Sequence, residues 1–259
     1  MRSLISEEEY DISDRIHPSP RRFAIVSCSR DRIPYNENNR SPHVAMNQLQ
    51  TKVPTDTWIA ATWEEYLQVI DDPAYEQAKG YYFNGHMRIE MAAVENPHSR
   101  DHFIVITAIS LFSGLRNLDL DGHDNCTYRK TGCREVQPDV SFYVGANAEV
   151  IPWDATIIDL DGYPVPDLAI EISSSSLADD KGEKRLLYEA LGVKEYWIVD
   201  VENAQIFAFA IANRGSYRID QSQVLSGLEI ALLEEALRRS RTMNHGKVSA
   251  WLLTQFQST

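Results

Sequence analysis

Two segments of this chain place carboxylates where strands usually carry apolar side chains. The first is Glu135-Val136-Gln137-Pro138-Asp139-Val140-Ser141-Phe142-Tyr143, and the second is Pro166-Asp167-Leu168-Ala169-Ile170-Glu171-Ile172-Ser173, followed shortly by Lys184. Burying an ionised carboxylate on a strand costs several kcal/mol unless a cation or hydrogen bonds compensate it. A divalent cation held between Asp139 and Glu171 supplies that compensation. Oxygen ligands from two carboxylates suit Mg²⁺, a hard ion that keeps several waters, so the pair points to metal-assisted hydrolysis.

Further candidates surround the pair. Glu90, among Arg88, Ile89 and Met91, reads as a third carboxylate or as the partner of Arg88 or another cation in a cross-strand pair. Lys184 falls in the first turns of the helix after Ser173–Ser176, with Tyr188 one turn further on the same face. It either stabilises charge on a phosphoryl group or lies on a solvated helix face. Asp167 repeats the Pro-Asp pair and shares a strand face with Ala169 and Glu171, at a strand entrance where solvent can satisfy it. His98 and His102 stand four apart, a spacing that can bind zinc, but His-Ser-Arg-Asp-His lacks the glutamate of the metalloprotease motif. His102 therefore reads as an active-site helper or as a packed histidine near a helix start.

The elements that must position these groups follow from pattern. Residues 1–54 are rich in Ser, Pro, Asn and Arg, with one short apolar run at Phe23–Val26, and predict a disordered N-terminal extension. A single domain is expected over 55–259. Thr62 caps a short helix from Trp63 to Ile70, and Gly80–Gly85 followed by Arg88–Ala92 predicts a hairpin about Asn84-Gly85. The apolar stripe between Pro97 and Asn117 predicts the longest helix. Strands are expected at Cys126–Lys130, Val136–Val144, Leu168–Ser173, Tyr196–Val201 and Gln205–Ile211. A helix over Asp179–Leu191, stopped by Gly192, makes Leu168–Val201 a strand-helix-strand unit. Amphipathic helices at Leu232–Arg241 and Val248–Phe256 close an α/β domain.

Composition narrows the function classes. With 43% hydrophobic and 24% charged residues the chain is ordinary for a globular protein. The longest apolar stretch, Phe103–Leu118, is interrupted by polar residues and falls short of the roughly 20 needed to span a bilayer. Cys28, Cys126 and Cys133 include no close pair of the zinc-ribbon kind, and the acidic N-terminus does not read as a secretory signal, so the expected compartment is the cytoplasm. The net charge of −13 opposes a nucleic-acid partner. Residues 1–50 carry seven charges of each sign, so the whole imbalance lies beyond them. Basic residues still cluster at Arg129, Lys130 and Arg134, at Lys181, Lys184 and Arg185, and at Arg238, Arg239 and Arg241.

A Pro-Asp strand, a later acidic strand and a nearby lysine resemble the PD-(D/E)XK nuclease superfamily. More closely, Gln137–Ser141, Pro166–Ser173 and the stretch Gly182-Glu183-Lys184-Arg185-Leu186-Leu187-Tyr188-Glu189-Ala190-Leu191-Gly192-Val193-Lys194-Glu195-Tyr196-Trp197-Ile198-Val199-Asp200 resemble the bacterial Uma-type family, whose members are assigned as endonucleases by similarity. The resemblance runs from about Trp63 to Ile211. It implies a restriction-endonuclease-like fold: a central mixed β-sheet flanked by helices, with a Mg²⁺ (or Mn²⁺) site at one end. It further implies Asp139 and Glu171 as metal ligands with the Ile172 carbonyl, Glu90 as third acid, and hydrolysis of a phosphodiester in nucleic acid, DNA foremost. The superfamily lysine normally follows the second acid by two positions, where Ser173 stands. Lys184 substitutes for it in the Uma-type pattern, which also carries a histidine at the position of His102. Analogy to enzymes that cut both strands implies a homodimer. The competing reading is a nuclease-fold binding or scaffold protein without turnover, and a weaker third is a hydrolase of small phosphoesters.

Overall fold

Hydrogen-bonded pairing sorts the strands into two six-stranded mixed sheets, in a computed structural model that describes residues 53–91 and 95–258. The first sheet has the order β1-β3-β2-β6-β5-β8, with β1 Ile59–Ala60, β2 Ala78–Phe83, β3 His86–Met91, β5 Tyr128–Lys130, β6 Arg134–Val136 and β8 Ile158–Asp159. The second has the order β12-β11-β10-β9-β7-β4, with β4 Leu120–Asp124, β7 Val140–Val144, β9 Leu168–Ser173, β10 Glu195–Asp200, β11 Gln205–Ala212 and β12 Gly215–Arg218. Among the described residues six α-helices accompany them: α1 Trp63–Ile70, α2 Asn96–Arg116, α3 Leu177–Lys181, α4 Glu183–Leu191, α5 Ile230–Ser240 and α6 His245–Ser258. The expected extension lies outside the described residues up to residue 52. Among the described residues no helix is long and apolar enough to cross a membrane.

The second sheet is the spine. Every residue of β9 and β10 is buried, as their near-continuous apolar sequence requires of strands covered on both faces. Alternation then assigns the faces. Leu168, Ile170 and Ile172 join Trp197 and Val199 in a core shared with α2, α5 and α6. Ala169, Tyr196 and Ile198 look the other way, into a core shared with α4 and with Tyr81, Phe83 and Tyr128 of the first sheet. Glu171 and, one residue ahead of β7, Asp139 fall in register on this second face. The parallel pairing of β9 with β10 across α3 and α4 confirms the expected strand-helix-strand unit.

Two expectations need correction. The segment Val136–Val144 is not one strand: β6 belongs to the first sheet and β7 to the second, and Gln137-Pro138-Asp139 carries the chain between them. Pro138 lacks the N–H that a continuous ladder would use, so the crossing falls there. The helix expected over Asp179–Leu191 is broken at Gly182, whose φ of −101° and ψ of −107° no helix accommodates. The expected α/β architecture of mixed sheet flanked by helices holds, but its strands are divided between two sheets.

Local signals set the rest. Thr62 and Glu65 form a reciprocal capping box on α1, and Gly192, at φ +84°, ends α4. Asn84 and Gly85, both at positive φ, close the hairpin with a two-residue turn. That turn fixes register, placing Lys79 opposite Glu90 and Tyr81 opposite Arg88. Gly80 lies between them on the reverse face, under α1. A Cβ there would meet the Tyr66 hydroxyl at 2.1 Å, the same hydroxyl that donates to Glu135 at 2.6 Å. Gly80→Ala should therefore displace Tyr66 and cost about 1–3 kcal/mol. Thermal denaturation checks this, and an unchanged melting temperature would contradict it.

Candidate active site

Asp139 and Glu171 meet because β7 and β9 run antiparallel with Val140 opposite Ile170, so the next pair outward is Asp139 and Glu171. Both are buried, at 5% and 2% exposure. The Ile172 N–H donates to Asp139 Oδ2 at 2.6 Å, Lys79 pairs with Oδ1, and His98 Nε2 lies 3.6 Å from Oδ2. Burial alone would raise the Asp139 carboxyl. The His98 contact and the Lys79 charge outweigh it and hold the group far below the usual carboxylate range.

Glu171 has the opposite balance. The Tyr188 hydroxyl donates to its Oε1 at 2.8 Å and the Tyr81 hydroxyl at 3.2 Å, while the Lys184 ammonium stands 3.9 Å from Oε2. Burial dominates; Lys184 opposes it, but the charges of Asp139 and Asp180 reinforce it, and the carboxyl is pushed up to about 8. Both tyrosines are buried beside this carboxylate, and their hydroxyl pKa values stand well above 10. Tyr188 donates its proton to Glu171, while Tyr81 shares its single proton between Glu171 and the closer Gln137 carbonyl at 2.8 Å.

The first sheet and the helices supply the surrounding charges. Lys184, 1% exposed, binds Glu90 at 2.8 Å and Asp180 at 3.0 Å and sits 4.3 Å over the Tyr81 ring. Burial would strip its proton, but Glu171, Asp180 and Glu90 together hold its pKa well above the usual lysine value. Glu90 is raised by burial and then brought below its usual value by Lys184 and Arg88. Arg88 reaches Glu90 at 3.1 Å and Asp179 at 3.3 Å. Five carboxyl groups, Glu90, Asp139, Glu171, Asp179 and Asp180, thus share three lysine and arginine partners, Lys79, Arg88 and Lys184. Carboxyl groups outnumber lysine and arginine partners in this cluster, an imbalance that a bound divalent ion would offset.

Of the residues singled out from sequence, Glu90, Asp139, Glu171, Lys184 and Tyr188 thus converge, and Ile172 meets Asp139 through its N–H. His102 lies at the rim: its buried Nε2 is 3.4 Å from Asp124 without forming a hydrogen bond, and burial lowers its pKa. His98, one turn earlier, is the histidine that reaches Asp139. Asp167 is outside the site and is not left to solvent. It accepts from the Val144 N–H at 2.8 Å and from Asn147, and pairs with Lys194 at 2.6 Å. Sequence reasoning missed Lys79, Tyr81 and Asp180, while Arg88 is the partner it offered for Glu90. The Asn-Gly turn was the available signal for the first two, since a two-residue loop alone fixes which hairpin residues share a face with Glu90. Among the described residues no set of three His, Cys, Asp or Glu side chains is arranged to hold a metal. Asp139 and Glu171 therefore offer a two-carboxylate donor set.

A family model described as "Uma2: Putative restriction endonuclease" matches residues 63–257. The chain belongs to this family. The match covers every strand except β1 and runs from the start of α1 into the last turn of α6. A solved structure of a putative nuclease belonging to DUF820, from Anabaena variabilis, is 18% identical, covering 68% of this chain and 98% of that one with a TM-score of 0.49. No curated protein matches the chain.

The Glu171 balance has a consequence for stability. A carboxyl whose folded-state pKa, about 8, exceeds its ordinary 4.5 binds more protons folded than unfolded. Its contribution to stability is fully present below the unfolded pKa and is lost as pH rises through the folded one. In EDTA, Glu171→Gln should melt above the wild type when the pH exceeds about 8, and level with it near about pH 5. Each kcal/mol relieved corresponds to about 2–4 °C. Melting curves at the two pH values check this, and a variant less stable than wild type at the higher pH would contradict it.

Proposed function

We propose that the chain is a Mg²⁺- or Mn²⁺-dependent endonuclease that hydrolyses DNA phosphodiester bonds, its activity residing in a domain over 55–259. The observation that carries this reading is the pair Asp139 and Glu171, buried side by side in a cluster of five carboxyl groups with three lysine and arginine partners. The donor set fits a hard cation. Asp139 Oδ1 meets only Lys79, and Glu171 Oε2 has no contact closer than Tyr81 at 3.5 Å, so these two oxygens keep lone pairs for an ion; the Ile172 carbonyl lies on the same strand, and water and substrate oxygens would complete a Mg²⁺ shell. When bound, such an ion lowers the pKa of a water and polarises the phosphoryl oxygens.

The protein's own groups divide the remaining work. Tyr81 and Tyr188 hold Glu171 through neutral hydroxyls and so fix its orientation without competing for charge. Lys184, hemmed by three carboxylates, positions Glu90 and Glu171 and keeps both close to ionisation. Lys79 has one carboxylate partner and a side chain that is 10% exposed. It is the cation we assign to the phosphate, where it offsets charge developing on the equatorial oxygens. His98 holds Asp139 from the α2 side. A homodimer would bring two such sites to the two strands of a duplex.

The Lys79–Asp139 pair also favours a second reading, in which an internal ammonium takes the place of a metal and the chain binds without turnover. Plasmid nicking separates the two. With Mg²⁺ the wild type should nick, Asp139→Ala should not, and Lys79→Met should lose about 10²–10³ in kcat, the scale of one transition-state electrostatic contact. Equal nicking by wild type and Asp139→Ala, or none by either, would overturn the enzyme.

A further inference from the structure

A chain of net charge −13 that binds a polyanion must concentrate positive charge somewhere, and two of its three basic clusters are already neutralised. Arg129 pairs with Glu135 and Lys130 with Asp161. Arg238 and Arg239 pair with Glu235, and Arg241 with Asp101. The third cluster differs. Lys184 turns inward to the acids, while Lys181 turns outward onto the ring of Phe207, its ammonium 3.4 Å from the centroid. From β12, the exposed Arg218 lies over the same ring at 4.7 Å and over Phe209 at 5.4 Å. Arg185 lies over Phe209 at 5.2 Å. Among the described residues neither Lys181 nor Arg218 has a carboxylate within ion-pairing distance, and Arg185 meets only Glu189, at 3.9 Å. Stacking on the aromatic faces holds these cations in place without neutralising them.

The cluster also lies in line with the acidic pair. Glu171 is opposite Ile198 and Ile198 is opposite Phe207, so Asp139, Glu171, Ile198 and Phe207 form one transverse row, and residues paired across a sheet share a face. Two strand spacings, about 10 Å, separate Glu171 from Phe207. That is about three phosphates along one strand of a duplex at ~3.4 Å of axis each.

We infer that Lys181, Arg185 and Arg218, stacked on Phe207 and Phe209, form the surface that grips the DNA backbone beside the scissile phosphate. The inference rests on the nuclease reading and names where its substrate is held. Contacts of this kind carry no base information, so the grip is sequence-independent.

The test is binding of a fluorescein-labelled DNA duplex to the full chain by anisotropy, in EDTA and over a series of salt concentrations. Lys181→Met keeps the stem that packs on Phe207 and removes only the charge, and Arg218→Gln changes an exposed side chain. Both should bind more weakly than wild type, with the slope of log K against log salt shallower by about 0.9 for each phosphate no longer neutralised. Lys247→Gln, an exposed α6 lysine, should bind as wild type does. Wild-type affinity and slope in both variants, with wild-type protein that binds the duplex and nicks plasmid, would overturn this surface and leave the nuclease reading intact. Wild-type protein that neither binds nor nicks would overturn both.

Discussion

Two carboxylates on neighbouring strands repel each other through an interior that screens charge poorly, and the surroundings of Asp139 and Glu171 are organised by that repulsion. The protein resolves it asymmetrically. Asp139 is given a lysine, a histidine and a main-chain N–H and stays ionised; Glu171 receives two neutral hydroxyls and a more distant ammonium and is held near neutral pH. Separating two like groups in this way is how one site keeps a fixed charge beside a titratable one. The arrangement stores unfavourable energy in the folded state, as sites that await a ligand commonly do.

The rest of the fold makes the asymmetry possible. The first sheet is applied to the second so that one face of its hairpin, bearing Lys79, Tyr81, Arg88 and Glu90, closes over the acidic pair. Crossing between sheets at Pro138 brings Asp139 to the junction, where the Tyr81 hydroxyl also bonds the Gln137 carbonyl at 2.8 Å. The break at Gly182 serves the same end: Asp180 from α3 and Lys184 from α4 meet, while Lys181 is left free to face outward. Buried charge here is tolerated because almost every group has a partner, and removing Lys184 would leave Asp180 without its cation and Glu90 with Arg88 alone.

Much of this was readable from the sequence. The acids of β9 stood out because an apolar run interrupted by one carboxylate has few solvated interpretations. The lysine two residues past Glu171 is absent, yet Lys184 reaches the same carboxylate from the next helix, as the family resemblance implied. Lys79 was not read because a lysine beside Gly80 carries no local signal; only the hairpin register ties it to Glu90, and only the stacking of two sheets ties it to Asp139. The choice between His98 and His102 turned on helix rotation relative to the sheet, which residue spacing alone does not fix. Likewise, Asp167 and Glu171 share a strand face, but a loop and Lys194 close over the former and a tyrosine pair over the latter.

If the excess of carboxyl groups around Asp139 and Glu171 is a cation site, it should bind a divalent ion in the absence of substrate. Titration of the full chain with Mn²⁺, followed by loss of the free ion's electron paramagnetic resonance signal, measures this directly. A saturable site that Mg²⁺ displaces and that Asp139→Asn and Glu171→Gln each abolish is the predicted result. Mn²⁺ that remains free, or that binds both variants as tightly as the wild type, would contradict the account.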